Sequence, residues 1–251
     1  MRTDPFVDLP AAAGRVPLQA LGHRRLWSLD ALSERDVQGL LEGARTLERA
    51  ARSASPCRAL RGMNIARLGE GVGDAAAAEF DGAAMELGAQ VTRIQPRDAH
   101  LADPDEARRT AGMLGRLYDA IDCSGLPEEQ LLALGRDAGV PVFNGLARRD
   151  HPVRVLLELL ALQGLGHRPL ATLGVRFGGA LPSVRASALR QAAALARVEL
   201  QTPGSTPLRE ADFELGDDDT LRTGAGGVVD RGAVAASRRH LLQALLVGSL
   251  G

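Results

Sequence analysis

The chain has 251 residues and a net charge of −1, from 30 basic and 31 acidic side chains. Apolar residues make up 45% and charged residues 24%, which is ordinary for a globular protein and excludes a disordered or fibrous chain. The near-neutral balance lacks the basic excess of nucleic-acid-binding proteins, so we expect no nucleic-acid partner. All 30 basic residues are arginine, and the lack of lysine excludes Schiff-base and Walker-type phosphate-loop chemistry.

The cysteines and the apolar segments indicate where in the cell the protein is expected. Cys57 and Cys123 stand apart, in no CxxC pair or His/Cys cluster, so the sequence predicts a reduced, cytoplasmic protein without a metal site. Residues 1–22 form a Pro/Ala-rich tail that lacks the continuous apolar core of a signal peptide. The longest apolar run, near residues 153–166, is too short and too charged to span a bilayer, so we expect no membrane partner.

Helical and strand patterns alternate over the first part of the chain after the tail. Ser33 and Asp36 have the spacing of a capping box and predict the start of a helix. Gly88 is predicted to end a later helix that follows a glycine-rich turn. Such alternation is typical of a parallel sheet with helices on both faces. The predicted strands lie at 63–69, 89–94, 118–124 and 140–145.

The helical run after His151 leads into one further β-α-β unit. Its strands are predicted at 169–179 and 197–204, on either side of a helix at 183–196. Residues 205–227 are acidic and turn-rich with weak periodicity, and ELGDDD within them is predicted to be a solvated acidic loop. A last amphipathic helix follows.

The stretch EGVGDAAAAEFDGAAMELGA, residues 70–89, has the form of an anion site. A glycine-rich turn runs into a helix, and helix N-termini bind anions through backbone N–H groups. Gly73 is therefore a candidate ligand-binding residue. Asp74 is a second candidate, although its favoured interpretation is a helix cap. Four alanines follow where a phosphate site would have Ser, Thr, Lys or Arg.

Five segments of the chain, in this order, resemble the aspartate/ornithine transcarbamylase family. The resemblance implies an α/β fold with two doubly wound parallel-sheet lobes, the second of them reduced. It also implies a homotrimer with sites between subunits, and no cofactor. The segments are RRLWSLDALSERDVQGLLEGA, FDGAAMELGAQVTRI, TAGMLGRLYDAI, AGVPVFNGLARRDHPVRVLLELLAL and VVDRGAVAASRRHLLQALL.

The resemblance also implies a division into lobes. After the tail at 1–22, a carbamoyl-phosphate lobe is expected at 23–152, and the terminal helix at 230–248 is expected to pack back on it. A shortened amino-acid lobe is expected at 153–229. The family's later Asp-x-x-x-Ser-Met-Gly and His-Cys-Leu-Pro segments have no counterpart in this part of the chain.

At the positions that match the family's site residues in the first lobe, this chain mostly has other residues. The family's phosphate loop, Ser-Thr-Arg-Thr-Arg, falls on residues 73–77, and none of the five is kept. The loop that offers Ser or Lys to a neighbouring subunit falls on the acidic residues 103–106. The family's arginine at the end of the following strand falls on Ser124. In the His-Pro-x-Gln motif the histidine is kept as His151, and the glutamine has become Arg154.

In the second lobe, Ser183 and Arg185 are the polar candidates at the positions of the amino-acid ligands. The sequence therefore predicts a transcarbamylase-like protein without carbamoyl-phosphate binding, retained as an assembly or regulatory subunit. It would stand in a homo-oligomer or beside an active homologue. The alternative is a transferase of altered specificity, or a protein that binds a small anion or amino acid, using His151 and Arg154. Against that alternative, His151 is favoured as a structural residue and Arg154 as a solvated or ion-paired one.

Overall fold

A computed structural model describes the chain at residues 20–21, 26–53, 57–69, 75–95, 99, 103–181, 183–204, 206–207, 209–216 and 220–251. Within these ranges the chain forms seven α-helices and eight strands, which alternate over most of its length. The helices are α1 (Glu34–Ala51), α2 (Ala75–Glu86), α3 (Pro104–Leu117), α4 (Glu128–Asp137), α5 (Pro152–Gly166), α6 (Val184–Ala196) and α7 (Arg231–Leu250). The strands are β1 (Asn64–Gly69), β2 (Gln90–Ile94), β3 (Ala120–Ser124), β4 (Val142–Phe143), β5 (Gly174–Phe177), β6 (Glu199–Gln201), β7 (Phe213–Leu215) and β8 (Leu221–Thr223).

The first sheet has the strand order β2-β1-β3-β4, and all of its strands are parallel, as predicted. Successive side chains of a strand point to opposite faces. On β1, Ile65 joins the larger core with α1, α2 and α7, whereas Leu68 joins a smaller core with α3 and α4. Both faces of this sheet are therefore covered by helices.

Local signals explain where the helices of this lobe begin and end. The Ser33 hydroxyl accepts a hydrogen bond from the Asp36 N–H at 3.3 Å, and the Asp36 carboxylate accepts one from the Ser33 N–H at 2.7 Å. The predicted capping box is thus confirmed. Gly88 follows α2 with a φ of +90°, in the left-handed region that favours glycine.

The second sheet has the order β6-β5-β7-β8, with β6, β5 and β7 parallel and β8 antiparallel to β7. The predicted β-α-β unit is confirmed as β5-α6-β6. The prediction of a solvated loop is wrong for Glu214 and Leu215, which belong to β7, while residues 217–219 lie outside the described residues. Strands of three residues are too short for their alternation to stand out from a turn-rich segment.

Helices α5 and α7 connect the two lobes through one continuous core. Residues 153–162 of α5 are all buried, and α5 packs against both α6 and α7. The carboxyl half of α7, residues 241–249, is also buried on every side, against α1, α2 and α5. No helix in the described part of the chain is both long and apolar enough to cross a membrane. The lobe boundary after residue 152 stays a prediction.

Candidate functional site

The carboxyl edge of the first sheet is the position at which open α/β sheets bind ligands. There Gly69 ends β1 directly beside Ser124, which ends β3. A Cβ atom on Gly69 would lie 3.1 Å from the Ser124 Cβ, so the two strand ends are closely packed. Gly73 and Asp74, the candidates in the turn after β1, lie outside the described residues.

The described start of α2 offers hydrocarbon side chains at this edge. Residues 75–78 are alanines, so this turn presents neither a hydroxyl nor a cation to a ligand. The first charged side chain of the helix is Glu79, a carboxylate that pairs with Arg238 and supplies no cation to a ligand. Only backbone N–H groups could therefore contribute to an anion site at this turn.

The imidazole of His151 has hydrogen-bond partners at both nitrogens. His151 is the N-cap of α5, and its Nδ1 accepts a hydrogen bond from the Val153 N–H at 3.1 Å. Its Nε2 donates to the Asn144 side-chain oxygen, which fixes the neutral tautomer. Burial, followed by the nearby Arg148 cation, lowers the pKa of His151 to about 4. His151 is thus placed as the structural interpretation expects; a catalytic role for it stays a prediction.

Asp122 is a buried carboxyl group that the sequence analysis did not single out. It accepts hydrogen bonds from the backbone N–H groups of Gly145 at 2.9 Å and Leu146 at 3.3 Å, and so holds the loop that carries Asn144. Burial raises its pKa to about 6, although these two hydrogen bonds and the Arg67 cation oppose the rise. Its position within an otherwise apolar strand segment is the sequence signal from which Asp122 could have been recognised.

Arg154 lies inside the protein, within ion-pair distance of two carboxylates. It is 6% exposed, and its guanidinium lies 3.5 Å from Glu79 and 3.2 Å from Glu158. It also donates a hydrogen bond to the Ala147 carbonyl oxygen at 2.8 Å. The favoured interpretation of Arg154 as an ion-paired residue therefore matches its position.

Arg185 and Arg238 complete the same buried group of charges. Arg185 donates to Glu158 at 2.8 Å, and Arg238 donates to Glu79 at 2.6 and 3.0 Å. We call Glu79, Arg154, Glu158, Arg185 and Arg238 the interlobe cluster, because they come from α2, α5, α6 and α7. Three guanidinium groups thus share two carboxylates at the junction of four helices.

Ser183 and the two described cavities lie apart from these groups. The Ser183 hydroxyl caps α6 by accepting a hydrogen bond from the Ala186 N–H at 3.1 Å.

One cavity, of about 760 Å³, lies between α1, α5 and α7, and the other, of about 290 Å³, lies beside β5, β7 and β8. None of the predicted site residues that the structure describes lines either cavity. Among the described residues there is also no group of His, Cys, Asp and Glu that could hold a metal ion.

Comparison with solved structures defines the class of this fold. The chain is similar to ornithine carbamoyltransferase from Burkholderia thailandensis, with a TM-score of 0.72 and 18% identity over 91% of this chain and 98% of that one. It is also similar to aspartate transcarbamoylase from Trypanosoma cruzi, with a TM-score of 0.68 and 14% identity over 94% of this chain and 99% of that one. The protein thus has the two-lobed α/β fold of the transcarbamylases.

Sequence comparison identifies the family. The family model described as "Aspartate/ornithine carbamoyltransferase, carbamoyl-P binding domain" matches residues 24–164, so the chain belongs to this family. It is 34% identical over 157 residues to catabolic ornithine carbamoyltransferase of Pseudomonas putida, covering 62% of this chain and 47% of that one. It is 35% identical over 159 residues to ornithine carbamoyltransferase of Actinobacillus pleuropneumoniae, covering 63% and 48%. The chain spans about half the length of the curated relatives that it matches.

Proposed function

We propose that this protein is a transcarbamylase-family member without ordinary carbamoyl transfer, retained as an assembly or regulatory subunit. One observation carries the proposal: Arg154 and Arg185, the only cations among the predicted ligand-binding residues, are engaged by carboxylates of the interlobe cluster. The alanines at the described start of α2 support it, since they cannot replace the charged donors of a phosphate site.

The expected loss of affinity for carbamoyl phosphate is large enough to be tested by an activity assay. A hydrogen bond to a charged group contributes roughly 1.5–3 kcal/mol, so the three arginines that the resemblance expects are worth on the order of 5–9 kcal/mol. At about 1.4 kcal/mol per tenfold change, carbamoyl phosphate should bind at least thousands of times more weakly than to a site that keeps them. The purified chain, given carbamoyl phosphate with ornithine or aspartate, should form neither citrulline nor carbamoyl-aspartate above the blank.

An active ornithine carbamoyltransferase in the same assay provides the control. Product formation by this chain that is abolished in His151→Ala would overturn the proposal and favour a transferase of altered specificity. A thermal-shift series with carbamoyl phosphate, phosphate, ornithine and aspartate separates catalysis from binding, because a ligand that binds only the folded state must stabilise it. We expect none of the four to raise the unfolding temperature.

The assembly role has its own test, in the organism that makes the protein. A tagged chain purified from its native host should elute as an oligomer that contains a second transcarbamylase-family chain at a fixed ratio. Mass spectrometry and sedimentation velocity would identify that chain and the ratio. A homotrimer with no second chain would count against the role beside an active homologue.

A further inference from the structure

A groove between three helices lies apart from the carboxyl edge of the first sheet. It has a volume of about 760 Å³, within the range of small-molecule sites, and lies between the carboxyl half of α1, the end of α5 and the amino half of α7. Leu41, Leu160 and Leu241, one from each helix, form part of its lining and are buried. The groove therefore has an apolar floor that an aliphatic chain can contact.

Small residues keep this groove open. A Cβ atom on Gly164 of α5 would lie 3.3 Å from the Ser237 hydroxyl on α7, so a larger side chain there would extend across the space between the two helices. Ala233 and Ala236 of α7 line the same wall and are exposed. The opening thus depends on three positions without long side chains.

The charges around the groove favour an anion. Among the described residues, its lining includes three arginines, Arg45, Arg52 and Arg168, and one carboxylate, that of Glu48. Glu48 pairs with Arg52 at 3.4 Å, and Arg168 pairs with Asp212 outside the groove. Arg45 makes no ion pair with another residue in the part of the chain that the structure describes. As far as the described residues are concerned, its guanidinium is therefore available to a negatively charged group.

We propose that this groove binds an amphipathic carboxylate, with its aliphatic chain on the leucine floor and its carboxylate against Arg45. An uncharged chain would lose the ion pair, and a cationic one would meet three guanidinium groups. This proposal does not depend on the proposed function, because neither the interlobe cluster nor any predicted site residue in the described part of the chain lines the groove.

Isothermal titration with decanoate below its micelle concentration tests this site. We expect saturable binding of one decanoate per chain, weaker binding of 1-decanol and no binding of decyltrimethylammonium. Arg45→Gln should weaken decanoate binding about two- to fivefold, as expected for one ion pair at an exposed site. The matched control is Arg49→Gln, one turn further along the exposed side of α1 and outside the groove, which should leave the affinity unchanged.

A second variant blocks the groove without removing a charge. Ala236 is exposed on α7, so Ala236→Trp should fold, place an indole across the opening and abolish decanoate binding. The absence of saturable binding to the wild-type chain, or equal losses in Arg45→Gln and Arg49→Gln, would overturn the proposal. Dissociation of an oligomer in Ala236→Trp, seen by sedimentation velocity, would also overturn it and identify the groove as an interface between copies of the chain.

Discussion

Glu158→Gln should lower the free energy of unfolding by about 3–5 kcal/mol, the usual cost of removing one partner from a buried ion pair. Glu158 is 5% exposed and lies 3.2 Å from Arg154 and 2.8 Å from Arg185. Glutamine has nearly the same shape, so packing is retained while the buried guanidinium groups of Arg154 and Arg185 lose the charge of their shared carboxylate. Urea unfolding at pH 7, followed by circular dichroism, measures the difference.

The matched control is Glu48→Gln, which removes a carboxylate from a pair at the surface. Glu48 pairs with Arg52 at 3.4 Å within α1, and its side chain is 48% exposed. Exposed pairs of this spacing contribute about 0.3–0.5 kcal/mol, so this variant should unfold almost as the wild type does. A loss below about 1 kcal/mol in Glu158→Gln would contradict the prediction, because the cluster would then behave like a surface pair.

The interlobe cluster links helices that belong to the two lobes. Its side chains join α2, which covers the first sheet, to α6, which belongs to the second. Separating these helices would break the ion pairs, but the exposed charges would regain hydration, which offsets most of the lost attraction.

Part of this architecture could be predicted from sequence because its signals are local. The Ser33–Asp36 capping box and Gly88 act within a few residues of the chain, and both are confirmed. The alternation of strands and helices around them is also a periodic signal, and it correctly predicted the first sheet as parallel.

The partners of the buried charges could not be predicted in the same way. Arg154 could be recognised as a changed position of a family motif, but its partner Glu79 lies far from it in the chain and meets it only when α2 packs near α5. Likewise, the environment of Asp122 depends on the backbone of Gly145 and Leu146. Tertiary packing determines these interactions, and no spacing rule encodes them.

Asp122 and His151 should have opposite effects on stability over the same pH range. Burial raises the pKa of Asp122 from its ordinary value near 3.9 to about 6, so the folded state binds more protons between these values. This group therefore lowers stability as the pH rises from about 4 to about 6. Burial lowers the pKa of His151 from about 6.5 to about 4, so there the unfolded state binds more protons. That group raises stability over nearly the same interval.

Each shift is worth on the order of 3 kcal/mol, at about 1.36 kcal/mol per pKa unit, and the two contributions offset each other in the wild type. Asp122→Asn keeps an oxygen that can accept the two backbone hydrogen bonds, so it should gain about 2–3 kcal/mol relative to the wild type between pH 4 and pH 7. His151→Asn keeps an N-cap acceptor and should lose a similar amount over that range. Urea unfolding of the three proteins at several pH values measures these differences. Other titrating groups contribute equally to the wild type and the variants, so their effect is removed when the free energies of unfolding are subtracted. Profiles for the two variants that run parallel to the wild type would show that neither shift is coupled to folding.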